Sequence, residues 1–141
     1  MASNFATAMK ALTVEFEKTT AHHVVLSFGS TGKHYAQIKN GAPFDVFMAA
    51  DIERPRLLET QGLAQTDSRM TYARGKLILW TSKSGIDDIK NTLLIGKDFR
   101  HLAVANPKLS PYGLAAQQVM IKLDVWPRLQ SKLVRGENIA Q

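Results

Sequence analysis

The sequence predicts an α/β protein with a mostly parallel sheet. Short apolar, β-branched runs alternate with helix-forming runs along the whole chain. Glycines stand where helices should stop, and small polar turns stand where they should start. No repeat, low-complexity tract or long linker interrupts this order.

In chain order, residues 4–18 carry Phe5, Met9, Leu12 and Phe16 at helical spacing, which predicts one inward face. "HVVLSF" (23–28) reads as a strand. "TGKHYAQIKNG" reads as a helix with Tyr35 and Ile38 inward and Gly41 as its stop. "FDVFMAA" (44–50) is a second buried strand, and "ERPRLLETQG" a helix ending at Gly62. "GKLILWTS" (75–82) is a third strand and "IDDIK" a short helix. "HLAVAN" (101–106) is another strand. A helix follows in "PYGLAAQQVMIKLDVW", with Pro111 in its first turn, and then a short one in "PRLQSKL". "KLVRGEN" (132–138) is a strand leading into a turn. A second strand–helix series starts near residues 79–82, so the expected division is 1–80 and 81–141.

The 141 residues suffice for a buried core, and 45% of them are hydrophobic. The formal charge of +6 favours anions through the long-range field. Lys and Arg are nevertheless scattered. The nearest cluster, Arg54 and Arg56, stands among Asp51, Glu53 and Glu59, which argues against a nucleic-acid partner. With no cysteine, disulfides, thiolate metal sites and cysteine nucleophiles are excluded. No apolar run approaches the roughly 20 residues that span a bilayer. "MASNF" is not a signal peptide, which leaves a mature chain behind an added Met1 or a cytoplasmic product.

The stretch "LSFGSTGKHY" (26–35) looks like the start of a phosphate loop. A Walker loop needs Gly where Ser27 stands, and Ser or Thr where His34 stands, so that reading fails at both ends. A strand, a small polar turn and a helix start remain. Ser30 or Thr31 there is an N-cap, or a hydroxyl donor beside the unpaired N–H groups of a first helical turn. Similar turns recur in "ASNF", "SPYG" and "GENIAQ". Gathered at strand ends, they would ring one point with neutral donors for an oxyanion.

These turns carry a family likeness. "ASNF", "VVLSFGSTGKHYAQIKNGAPFDVFMAAD", "YARGKLILW", "HLAVANPKLSPYG" and "KLVRGENIAQ" resemble the periplasmic molybdate-binding proteins of ABC transporters, in order and spacing. The resemblance implies a type II periplasmic-binding-protein fold: two lobes with mostly parallel sheets flanked by helices, closing on molybdate or tungstate. It implies oxyanion contacts from Ser3, Asn4, Ser30 and Tyr112, and from the backbone N–H of Ile139. It further implies a periplasmic location, a membrane permease of an ABC transporter as partner, no cofactor and no catalysis. Family members continue beyond the "ENIAQ" turn, so the C-terminal part of that fold is expected to be missing. Uncovered strand edges then imply a homo-oligomer, most simply a dimer, or a marginally folded chain with weakened oxyanion affinity.

Other candidates have plainer readings. His22 and His23 are adjacent on an extended segment and face opposite sides, which does not suit a shared metal. Asp45, expected in a buried strand, should pair with a backbone group or a lysine. Lys33 is either a direct anion contact or a solvated neighbour of one. Trp80 and Trp126 read as core or hinge packing. Two further functions compete: a regulatory or interaction protein that keeps the lobes, and a phosphoryl- or acyl-transfer enzyme with His34 as the base near Ser30.

Overall fold

The computed structural model describes residues 1–84, 88 and 99–141. Its helices are α1 (Ala6–Thr19), α2 (Thr31–Lys39), α3 (Glu53–Thr60), α4 (Pro111–Lys122) and α5 (Trp126–Leu129), and its strands β1 (Leu102–Ala105) and β2 (Leu133–Gly136). Single 3-10 turns at Ser3–Phe5 and Gln130–Lys132 precede α1 and β2. The short helix expected at 86–90 falls largely outside the described residues.

The two strands pair in parallel, from Leu102 opposite Leu133 to Ala105 opposite Gly136. Asn106 N extends the pairing by donating to Gly136 O at 2.7 Å. Parallel neighbours need a crossover, and α4 with α5 supplies it. Met120, Val125 and Leu129 form the buried centre of this unit, packed by Leu102, Val104, Trp126 and Leu133. α4 stops at Lys122 rather than running on to Trp126. The chain reverses at Asp124, whose φ of 55° lies in the left-handed region that Asp tolerates better than most residues. At its other end α4 presses on β1: a Cβ on Gly113 would lie 2.2 Å from the Ala105 carbonyl oxygen. Only glycine lets the helix start this close to the strand end.

α2 and α3 end at Gly41 and Gly62, as expected, both with positive φ. The inward residues of α2 differ from expectation. Thr31 and His34 are buried, whereas Tyr35 and Ile38 are half-buried. On α1, Thr13 is buried while Leu12 and Phe16 remain exposed, so the expected apolar face is only partly covered.

The strands expected at 23–28, 44–50 and 75–82 do not form ladders. β-branched residues specify an extended backbone, but a strand exists only when a neighbour supplies hydrogen bonds about 4.8 Å away. Among the described residues, the neighbour of 23–28 and 44–50 is the three-residue stretch 1–3. Met1 N donates to Ser27 O at 2.6 Å, Gly29 N to Met1 O at 3.1 Å, and Ser3 N to Gly29 O at 3.0 Å. On the other side, Ala2 N donates to Met48 O at 2.9 Å. The result is a single parallel bridge, Ala2 to Gly29. Two consequences correct the sequence reading. Asp45 lies exposed on a bend rather than buried in a strand, and Trp80 is exposed rather than packed. Trp126 does pack on the core.

Candidate functional site

An open pocket lies where the extended segments end. Residues 1–2 lead into Ala2, Ser3 and Asn4; residues 22–28 into Gly29, Ser30 and Thr31; residues 44–49 into Ala50. β1 leads into Ser110, Pro111 and Tyr112, and β2 into Asn138 and Ile139. All five residues expected at the site, Ser3, Asn4, Ser30, Tyr112 and Ile139, therefore line one pocket. Ligands of open α/β sheets bind at this position, beyond the carboxyl ends of the strands.

Among the described residues, the pocket wall carries no ionisable side chain other than the Tyr112 phenol. Three of its hydroxyls each accept a protein N–H. Ser30, 2% exposed, caps α2 by accepting from Lys33 N at 3.3 Å. Thr31 Oγ1 accepts from Ala50 N at 3.1 Å, and the Tyr112 hydroxyl accepts from Asn4 Nδ2 at 3.2 Å. Each hydroxyl thus accepts a protein N–H and keeps its own hydrogen for something else. Ser30 is therefore an N-cap, and it also lines the pocket.

Ser110 was not singled out in the sequence. It sits between Leu109 and Pro111 where an N-cap is expected, yet its side chain makes no cap bond to α4. It is 3% exposed and lines the pocket. Ile139 stands in a turn in which Asn138 Oδ1 accepts from Ala140 N at 2.9 Å.

Several cations are engaged with carboxylates. Lys33 Nζ lies 3.1 Å from Glu137 Oε1, and Arg54 Nη1 lies 2.5 Å from Asp51 Oδ2. Arg56 pairs with Glu53, and Arg69 with Glu59. His34, buried beneath the Ser30 turn, contacts Gln37 through Nδ1 at 2.9 Å and meets Phe44 edge to face. Its Nε2 is buried beside Gly29 and meets no hydrogen-bond geometry among the described residues. Burial holds the imidazole pKa below its ordinary value, opposed by the Gln37 contact. His34 is thus not hydrogen-bonded to Ser30 Oγ, as a base activating that hydroxyl would be. His23 pairs with Glu17 at 2.9 Å on the exposed surface, and among the described residues no group of three His, Asp or Glu stands at metal-binding spacing. No helix among the described residues is long and apolar enough to cross a membrane.

Comparison with known proteins places this geometry among relatives. The sequence matches the bacterial extracellular solute-binding protein family over residues 1–141. It is 50% identical over 141 residues to the molybdate-binding protein ModA of Azotobacter vinelandii, covering 100% of this chain and 56% of that protein. It is 43% identical to ModA of Rhodobacter capsulatus, again over 100% of this chain and 56% of that one. The solved structure of the Azotobacter vinelandii periplasmic molybdate-binding protein superposes with a TM-score of 0.92 at 44% identity. That match covers 99% of this chain and 62% of the other. The chain therefore spans little more than half the length of these relatives.

Proposed function

The chain belongs to the bacterial extracellular solute-binding protein family, and from that premise we propose that its pocket binds a tetrahedral oxyanion, molybdate or tungstate, without transforming it. The observation that carries this reading is the donor bias of an uncharged pocket: Ser30, Thr31 and Tyr112 each accept a protein N–H and retain a hydrogen for a ligand. Ser3, Asn4, Ser30 and Tyr112 contact the oxyanion by side chain and Ile139 by its backbone N–H, with Ser110 as a further hydroxyl. Fixed neutral donors suit a fully ionised oxyanion, because charge-assisted hydrogen bonds are the strong ones and no countercharge need be desolvated. Residues 1–80 and 81–141 supply the two lobes that close on it. The names of the relatives support the same ligand class, and by that likeness the chain serves as the solute-binding component delivering to the membrane permease of an ABC transporter, in the periplasm. The pairing of Arg54, Arg56 and Arg69 with carboxylates supports an assignment without nucleic acid.

Calorimetric titration with molybdate, tungstate, sulfate and phosphate tests the proposal. Phosphate near neutral pH carries a proton that seeks an acceptor, which this donor set does not favour. Molybdate and tungstate should bind more tightly than phosphate by at least about tenfold, or about 1.4 kcal/mol. Equal affinity for phosphate would refute the reading.

A further inference from the structure

We propose that Lys33 and Glu137 form a clasp that holds the two lobes closed and thereby sets how long an oxyanion stays in the pocket; this rests on the oxyanion-binding reading above. The two residues lie on different elements, on α2 and just after β2, and their side chains meet at 3.1 Å. Neither lines the pocket, but each adjoins residues that do: Lys33 follows Ser30 and Thr31 closely, and Glu137 precedes Asn138. The pair therefore ties the Ser30 turn to the Ile139 turn from outside.

Two backbone contacts join the same faces beside it. Gly32 N donates to Leu109 O at 2.9 Å, and a Cβ on Gly32 would lie 2.7 Å from that oxygen. Arg54 Nη2 reaches Lys108 O at 3.4 Å while its other end is held by Asp51. The α2 start and the 108–109 turn are thus already in contact, with no room for a side chain between them. The clasp adds a charged pair between the same α2 start and the turn after β2. It also explains how a lysine beside an anion pocket leaves the pocket wall neutral: its charge faces Glu137.

The side chains are 53% and 37% exposed, so screening keeps the pair modest. Exposed pairs of this kind correspond to about two- to fivefold in an equilibrium constant. The sign separates the clasp from the alternative in which Lys33 serves the anion directly. Freed from Glu137, a lysine serving the anion would tighten binding, whereas loss of a clasp weakens it.

The test compares wild type, Glu137→Gln, Lys33→Glu, Glu137→Lys and the double reversal Lys33→Glu/Glu137→Lys in the 141-residue chain. Molybdate affinity is measured by calorimetry, and molybdate dissociation by stopped flow. Lobe separation is read independently with spin labels on cysteines introduced at exposed Ala36 and Gln118, specific because the chain has no cysteine of its own. Glu137→Gln should weaken molybdate binding about two- to fivefold, mainly through faster dissociation. Each single reversal should weaken it further and lengthen the label distance, and the double reversal should restore both. Tighter binding in Glu137→Gln, or reversals that leave the label distance unchanged, would overturn the clasp. If wild type binds no oxyanion, the proposed function fails while the label distances still decide the clasp.

Discussion

Gly75 abuts the hydroxyl of Tyr112: a Cβ at residue 75 would lie 2.2 Å from the phenolic oxygen. That hydroxyl is also the acceptor of the Asn4 side chain. The glycine therefore keeps clear the one position in which the phenol both meets Asn4 and lines the pocket.

Gly75→Ala should push the Tyr112 hydroxyl away and break its contact with Asn4. A hydrogen bond to a charged group contributes about 1.5–3 kcal/mol, so molybdate affinity should fall by roughly that amount. The effect should vanish in a Tyr112→Phe background, where no hydroxyl is left to displace. Calorimetry on the four variants of this cycle checks it. Equal losses from Gly75→Ala with and without the hydroxyl would mean that the glycine acts through the backbone alone.

Ser30→Ala removes a cap and a donor together. Thermal unfolding should show a loss of about 0.5–2 kcal/mol from the cap. Molybdate affinity should fall by about 1.5–3 kcal/mol from the donor. Ser30→Gly, which costs only a few tenths as a cap, should lose the same affinity with less stability. His23→Ala breaks an exposed pair with Glu17 and should leave affinity unchanged. Loss of binding in His23→Ala alone would contradict this location of the site.

Ser110→Ala tests the residue that the sequence hides. Ser110 is a buried residue of the pocket wall whose side chain caps nothing, so removing its hydroxyl should weaken molybdate binding with little effect on the stability of α4. Parallel melting and titration curves separate the two effects.

What could be read from sequence follows from the range of the forces involved. Ser30 before "TGK" and Pro111 at a helix start are local chemistry, and the helices they introduce form as expected. Gly41 and Gly62 stop helices for the same local reason. The segment 44–50 was read as a buried strand from its composition. Composition fixes an extended backbone, but pairing is a property of neighbours, and among the described residues the Met48 backbone bonds only to Ala2. Asp45 and Trp80 were misjudged with their segments, since their burial depended on that pairing. Ser110 was hidden because a Ser before Pro at a helix start looks like a cap, and only geometry reveals a hydroxyl with no cap bond. Sequence does not separate the two roles of Lys33, because Glu137 is remote in sequence and adjacent only in space.

His34 should make the fold sensitive to acid. Burial lowers its pKa below the ordinary 6.5, against the opposing effect of Gln37. Between the lowered value and 6.5 the unfolded chain binds more protons than the folded one, so stability rises with pH across that window. The stability is fully present above 6.5 and is lost as pH falls toward the folded pKa. Urea midpoints measured from pH 7.5 down to pH 5 should therefore decline, and His34→Gln should flatten that part of the profile. An unchanged slope in His34→Gln would assign the acid sensitivity to other groups.

Self-association is the remaining expectation, and it follows from the uncovered apolar segments. Val25 is 85% exposed, Val46 76%, Ile78 77% and Trp80 74%. All four lie on extended segments whose residues form no ladder among the described residues. An exposed extended edge offers unpaired N–H and C=O groups to another chain, and apolar side chains beside it add contact area. Two copies can satisfy both needs at once by pairing these edges around a twofold axis. Light scattering at micromolar concentration should therefore give a dimer or larger species. Trp80 fluorescence should shift to the blue as concentration rises and the indole leaves water. Ile78→Lys with Val46→Lys should return the chain to monomer, because a buried unpaired charge opposes the contact. A compact monomer at every concentration tested, with Trp80 still in water, would refute the expectation.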